Sequence, residues 1–346
     1  MLTPEQTQTD PALFRHLARQ GWSLLEPAQL LGGRSNYVWK SGDLVVKLYP
    51  ARRSNPLFAN DPIREREVLK ALGGTGMAPR YIAHGSWENQ DWLIYSHLAG
   101  APWQEDTAHV ARLLGILHDQ AGFDDLPKGG NGSRALEAQT VTILQECPGG
   151  KALMDCKPIG LVPAVAQTCL IHGDPVPGNL LAHDGTLALI DWQCPQKGDP
   201  AEDLAMFLSP AMQSLYRGNV LTRDEEAQFA AAYPDHRVVA RYYALKPWFH
   251  WRMAAYCLWK AEQGGETDRE ALALELAVSP PVWLHMLLWL PLSTVLTLLI
   301  LPPFKATLFA LQWKHNAHEA QLDLAPEGGE QDDRPGAASS SDTDAA

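Results

Sequence analysis

Three oxygen-bearing side chains stand at spacings that suit phosphoryl transfer. An apolar run delivers His172-Gly-Asp174, Asn179 follows five residues after Asp174, and a second run, Leu187-Ala-Leu-Ile190, delivers Asp191 twelve residues further on. Chemistry of this class uses one aspartate to accept the proton of the attacking hydroxyl. An asparagine five positions on holds one Mg²⁺, and an aspartate after the next strand holds the other. Carboxylate and amide oxygens are the hard ligands that Mg²⁺ demands. Each piece alone reads as a turn or a strand end, because short motifs arise often by chance. All three arrive in order, each beside a strand-like run, and that favours the chemical reading.

Such a site needs elements upstream that bring phosphates to it. Leu24 to Leu31, Ser35 to Lys40 and Leu44 to Tyr49 read as strands separated by Gly32-Gly33 and Ser41-Gly42-Asp43. Gly32, Gly33, Ser35 and Asn36 form a turn whose backbone can approach a phosphate closely and offer N–H groups to it. Lys47 alternates with Val46 and Leu48, so it faces away from them: a solvated strand lysine, or the lysine that reaches nucleotide phosphates and pairs with a helix glutamate. The glycine turn before it and the acidic helix after it favour the second. That helix is predicted from Pro62 to Leu72 with Asp61 as N-cap. Glu65, Val68, Leu69 and Leu72 share one face, which makes Glu65 the partner of Lys47 and Glu67 the solvated alternative. Two further strands, Arg80 to His84 and Asp91 to His97, complete this part. A nucleotide base would hydrogen-bond to the backbone of Ser96, His97 and Leu98.

Composition bounds the answer. The 346 residues are 46% hydrophobic, enough for a two-lobed domain plus an appendage. With 40 acidic against 28 basic residues the net charge is −12, a field that repels nucleic acid and favours a cationic small molecule. The five cysteines, odd in number and without a CxxC pair, suit a reducing compartment, and no zinc site is visible. The first ten residues have neither the basic region nor the apolar core of a secretory signal.

Together these residues resemble the aminoglycoside phosphotransferase and choline kinase family, small-molecule kinases related in fold to protein kinases. The likeness is carried by Leu31-Gly-Gly-Arg-Ser-Asn36, Val46-Lys47, Arg64-Glu65, Leu98-Ala-Gly100, Leu113-Leu-Gly-Ile-Leu-His118, His172 to Asn179, Ile190-Asp-Trp192 and Gly198-Asp-Pro-Ala-Glu-Asp-Leu-Ala205. It spans roughly residues 20 to 275 in the family's order. The resemblance implies an α+β, bilobal protein-kinase-like fold, with a small β-rich N-lobe at 1–100 and a larger, mostly helical C-lobe at 101–278. It implies ATP and Mg²⁺, with Asp174 as catalytic base, Asn179 and Asp191 as metal ligands, and Lys47 as phosphate contact oriented by Glu65. His172 would be structural, and Asp203 would anchor the helix after the metal loop. Gln193, where the family often carries an acid, and Pro175-Val176 depart from the pattern on the substrate side.

In the second lobe, helices are predicted along Val110 to Leu117 and over Arg134–Glu146, Ala201–Leu208, Arg223–Ala232, Val238–Leu245 and Pro247–Glu262. The last carries Trp248, Trp251, Arg252, Tyr256 and Trp259 at helical spacing. Core packing is the default for such a stripe, and an aromatic wall for a cationic substrate is the alternative.

Residues 282–301 carry no formal charge and are long enough to span a bilayer. A membrane crossing, an interfacial hairpin bent at Pro291 and Pro302-Pro303, and a buried helix all fit. Length and composition favour membrane association through 282–312. Glu270 and Glu275 before the segment, with Lys305 and Lys314 after it, would place its far end inside, which conflicts with a cytoplasmic kinase and a single crossing. Residues 283 to 312 resemble the closing segment of a small bacterial membrane-protein family, which would imply a gene fusion. Residues 279–315 form this appendage, and 316–346 are an acidic, polar tail expected to be disordered. The expectation is a cytoplasmic kinase domain tethered to the membrane that phosphorylates a hydroxyl of a small, amine-bearing molecule. The alternative is a catalytically idle module that binds nucleotide or a partner.

Overall fold

The computed structural model describes residues 4–30, 35–50, 55–278 and 294–313. Gly32, Gly33, residues 282–293 and the acidic tail lie outside them. The chain divides into two units, Met1–Pro281 and Val282–Ala346.

The first unit begins with α1 (Pro4–Arg19) and an antiparallel sheet of order β1-β2-β3-β5-β4. Its strands are β1 (Ala28–Gln29), β2 (Tyr37–Ser41), β3 (Leu44–Tyr49), β4 (Tyr81–Trp87) and β5 (Gln90–Ser96), with α2 (Pro62–Leu72) between β3 and β4. Central β3 is buried on both faces, and its alternation sorts its side chains. Val46 and Leu48 join Leu13 and Leu17 of α1, with Trp39, Trp92 and Ile94. Val45 and Tyr49 join Val68, Leu69 and Leu72 of α2. Lys47 alternates with Val46 and Leu48 and is delivered to the α2 face. Asp61 caps α2 by accepting from the amides of Ile63 and Arg64, with Pro62 at the first position.

The rest of the unit is largely helical. After β6 (Ala101–Pro102) come α3 (Thr107–His118), α4 (Ser133–Gln145) and α5 (Gly150–Met154). Four short strands follow: β7 (Cys169–Ile171), β8 (Leu180–His183), β9 (Thr186–Leu189) and β10 (Gln196–Gly198). They form two small sheets, β10-β7 and β6-β8-β9, that fix the loops carrying Asp174 and Asp191. Then come α6 (Ala201–Leu208), α7 (Pro210–Arg217), α8 (Arg223–Ala232), α9 (His236–Glu262) and α10 (Glu266–Val278).

The two helices expected around Pro247 are one. Pro247 has no N–H to donate and its ring crowds the preceding turn, a cost of about 3 kcal/mol. Burial of Tyr242, Leu245, Trp248 and Phe249 on either side of it holds the helix through the proline. The aromatic stripe is core: Trp251 donates to the Leu153 carbonyl at 2.7 Å and Trp259 to Glu146 at 3.0 Å. Arg252, 4% exposed, grips Glu202 with both terminal nitrogens at 3.1 and 2.5 Å, and Gln139 at 2.6 Å. It is therefore a packing residue rather than a substrate contact. Burial raises the Glu202 carboxyl above its usual range, and Arg252 opposes that rise.

In the second unit the described element is a helix, Thr294–Trp313, of 20 residues with mean hydropathy 1.8. It continues through Pro302-Pro303, where the hairpin reading, one of the three open to the sequence, would have turned the chain. Thr307 closes over it by donating to the Pro303 carbonyl at 2.8 Å. Its apolar side chains are exposed, Phe309 by 76% and Leu298 by 68%.

Removing Arg252 leaves a buried carboxyl without its partner. Arg252→Ala is expected to cost about 3–5 kcal/mol in denaturant titration, and pairing Arg252→Met with Glu202→Met to recover most of it.

Candidate active site

Lys47, Glu65 and Asp191 form one buried cluster from three elements. Lys47 Nζ lies 2.6 Å from Glu65 Oε2 and bonds Asp191 Oδ1, and the Tyr49 hydroxyl also donates to Glu65 Oε2. Burial pulls the Lys47 pKa down, but the adjacent charges of Asp191 and then Glu65 outweigh it and raise the pKa, so the ammonium stays charged. Burial lifts the Glu65 carboxyl against the attraction of Lys47. Glu67 is exposed and bonds Arg66 and Lys70 instead. Tyr49 was not singled out in the sequence, although it lies two residues from Lys47 on the same strand face.

The loop carrying Asp174 is held from behind. Asp203, fully buried on α6, accepts the amides of His172 and Gly173, each at 2.8 Å. His118 Nε2 lies 3.1 Å from the same carboxylate, and His118 Nδ1 lies 2.7 Å from the Tyr233 hydroxyl. Asp203 thus anchors the Asp174 loop from its place on α6, the helix that follows the Asp191 loop. Gly173 has φ +82, and a side chain there would strike the Cys194 carbonyl. His172 lies within hydrogen-bond reach of the Ile190 carbonyl at 3.1 Å and packs against Trp192 with the rings tilted at 58°. Burial lowers its pKa, keeping the ring neutral.

Asn179 closes a 3-10 turn, Pro177–Asn179, and donates Nδ2 to the Asp174 carbonyl at 2.9 Å and to Asp174 Oδ2 at 3.2 Å. Its backbone carbonyl accepts Ile190 N at 2.9 Å, which ties the loop of Asp174 to that of Asp191. Asp191 takes a left-handed backbone, φ 64, which aspartate tolerates better than most residues. With Asn179 Nδ2 committed to Asp174, the amide Oδ1 and the Asp191 carboxylate are a hard-oxygen pair that fits Mg²⁺. Among the described residues no group of three or more His, Cys, Asp or Glu is placed to hold a metal ion by itself.

Gln193 is buried and bridges to the first lobe. Its Oε1 accepts Asn36 Nδ2 at 2.6 Å, its carbonyl accepts Asp61 N at 3.1 Å, and Asn36 and Asn60 exchange amide hydrogen bonds at 2.8 Å. Asn36 is thereby a strut between lobes, and Ser35 beside it faces the pocket. The Ser96 and His97 amides are spent on the carbonyls of Arg80 and Asp43, at 2.9 and 2.8 Å.

These residues surround a pocket lined by Ser35, Asn55, Phe58, Asp174, Asn179, Asp191, Gln193, Met212, Tyr216 and Tyr256. Tyr256 is the member of the aromatic stripe that reaches it: Asn55 donates to its hydroxyl at 3.0 Å and Phe58 packs edge-on against its ring. A larger groove of about 870 Å³, at His118, Lys197, Tyr233 and Arg237, contains none of the three oxygen-bearing side chains, so the smaller pocket is the chemical one.

The model of the phosphotransferase enzyme family matches residues 27–248. The chain belongs to that family. A second family model, of proteins of unknown function (DUF983), matches residues 270–313. Among solved structures, a choline/ethanolamine kinase family protein from Mesorhizobium loti aligns with a TM-score of 0.55 at 17% identity, covering 78% of this chain and 93% of that one. Choline kinase LicA from Streptococcus pneumoniae aligns at 0.54 and 16%, covering 77% and 97%. The GDP and kanamycin complex of an APH(2'') enzyme aligns at 0.54 and 15%, also covering 77% and 97%. The fold is therefore the bilobal kinase-like one of this phosphotransferase family. No curated protein matches the chain.

His172 generates a pH dependence. Its folded pKa lies below the ordinary imidazole value, so the unfolded chain takes up the proton first and the stability contribution, full above about pH 6.5, falls as pH drops below it. His172→Gln is expected to flatten the slope of unfolding free energy between about pH 7 and 5, by up to about 1.4 kcal/mol per pH unit. Denaturant titrations across that window check it.

Proposed function

We propose that this chain is a small-molecule kinase that moves the γ-phosphoryl group of ATP to the hydroxyl of a small, amine-bearing acceptor. The observation that carries the reading is the convergence of Asp174, Asn179 and Asp191 on one pocket, with Lys47 and Glu65 behind Asp191. The acceptor hydroxyl gives its proton to the Asp174 carboxylate as its oxygen bonds to phosphorus and the bond to the nucleoside diphosphate breaks. Lys47, kept charged by its two carboxylates, neutralises phosphate oxygens. Asn179 and Asp191 would hold Mg²⁺, which when bound offsets charge on the phosphates. Leu98, following two amides already committed, offers backbone to the base. Phe58, Tyr216 and Tyr256 beside carboxylates favour a compact cationic guest.

The relatives in this fold include proteins described as choline kinases and one solved with GDP and kanamycin. They support an alcohol acceptor and a purine nucleotide for this chain. The test is phosphate transfer from ATP and GTP to a panel of amino alcohols and amino sugars. Asp174→Asn is expected to lower kcat by about 10²–10⁴-fold while nucleotide still binds. A wild-type chain that binds nucleotide and phosphorylates no member of the panel would favour the idle-module reading.

We also infer that the C-terminal helix tethers the kinase to the cytoplasmic membrane. Twenty residues at about 1.5 Å each match a bilayer core of about 30 Å. Glu275 is buried in the first unit and so is not a flanking charge for topology. Full-length chain is expected to float with phospholipid vesicles and to need detergent for release. A chain that stays in the aqueous fraction sinks the tether.

A further inference from the structure

The helix α10 lies largely inside the stretch matched to the family of unknown function, yet it is built into the phosphotransferase unit. Its Glu275 is 1% exposed. Oε1 accepts from Ser209 Oγ at 2.5 Å and from Ala211 N at 3.1 Å, and Oε2 lies 2.5 Å from His250 Nδ1. Ser209 is the N-cap of α7 and accepts from Met212 N at 3.2 Å. The carboxylate therefore sits at the positive end of α7, where negative charge is favoured, and satisfies donors the helix cannot satisfy itself.

What α7 carries makes this more than packing. Met212 and Tyr216, four residues apart and so on one face, both line the pocket with Asp174 and Asn179. The Tyr216 ring lies so close to Gly178 that a Cβ at that position would come within 2.7 Å of it. Gly178 belongs to the 3-10 turn that ends in Asn179. An unbroken set of contacts thus runs from Glu275 through the start of α7 to the wall of the pocket and to the turn presenting Asn179.

We propose that Glu275 is a positioning residue for the acceptor side of this pocket, and that the segment matched to the family of unknown function supplies part of the phosphotransferase's own machinery. The inference rests on reading the pocket as a phosphoryl-acceptor site. Glu275 holds α7, and α7 holds Met212, Tyr216 and the Pro177–Asn179 turn. Among the described residues, the hydrogen bonds of Glu275 go to Ser209, Ala211 and His250, and none goes to the nucleotide side built from β3, α2 and the backbone after β5. Losing Glu275 should weaken acceptor binding selectively.

The test uses the full-length chain with Glu275→Ala, Glu275→Gln and Ser209→Ala. Amide hydrogen exchange over residues 210–217 is expected to rise about tenfold in Glu275→Ala. The acceptor KM should rise about tenfold while the nucleotide KM stays within about twofold. Glu275→Gln keeps an oxygen for Ser209 and Ala211, and its N–H bonds His250 Nδ1 once that ring carries its proton on Nε2, so it should restore part of both. If Glu275→Ala does not fold, Ser209→Ala, which removes the bond to Glu275 and the cap bond from Met212 N, carries the comparison in the same direction. Unchanged exchange over 210–217, or acceptor and nucleotide KM rising together, overturns the proposal. If the wild-type chain phosphorylates nothing, the phosphotransferase reading fails by itself, and exchange at α7 still decides whether Glu275 positions it.

Discussion

A lysine ammonium with almost no access to water organises this structure. Lys47 is 1% exposed, and a bare charge there would be far too costly to bury. Glu65 and Asp191 must both be present, and they come from a helix and from a loop 144 residues away in the chain. Satisfying that one charge therefore fixes the sheet, α2 and the Asp191 loop against one another. The Asn36–Gln193 amide bridge and the Asp61–Gln193 backbone bond add polar ties along the same seam.

A second anchor works from the other side. The Asp203 carboxylate takes up two backbone amides of the loop that bears Asp174 and faces His118 besides. The loop is stiff because its amides end on a carboxylate that is itself fully buried. Preorganisation of this kind matters for phosphoryl transfer, where placement and electrostatics supply most of the effect. Cys194 lies under the same loop, and burial with the nearby carboxylates pushes its thiol well above the usual range, so it stays protonated.

Local rules made much of this legible. Two-residue alternation puts Lys47 opposite Val46 and Leu48, and helical spacing separates Glu65 from Glu67; both assignments follow from geometry that short peptides already obey. The α2 cap is likewise written in Asp61-Pro62. What stayed hidden were pairings across long chain separations. Nothing near Arg252 announces that Glu202, 50 residues away, will neutralise it, so the stripe alone leaves a substrate wall open as the alternative to core packing. The proline at 247 reads as a break by propensity and is overruled by burial on either side. The helix α1 is not announced by its pattern: among its described side chains Leu13 and Leu17, with partly buried Phe14, meet the sheet. In the same way Phe58, Tyr216 and Met212 become pocket residues only once three elements meet.

The left-handed backbone at Asp191 bears on how such a site can be silenced. Most side chains at φ 64 would strain the loop, whereas asparagine tolerates that conformation nearly as well as aspartate and differs from it by a single atom exchange. One conservative substitution at this position would therefore keep the architecture whole. A descendant carrying asparagine here would look intact in outline, and the change would show in the charge around Lys47, which would keep Glu65 and lose its second carboxylate.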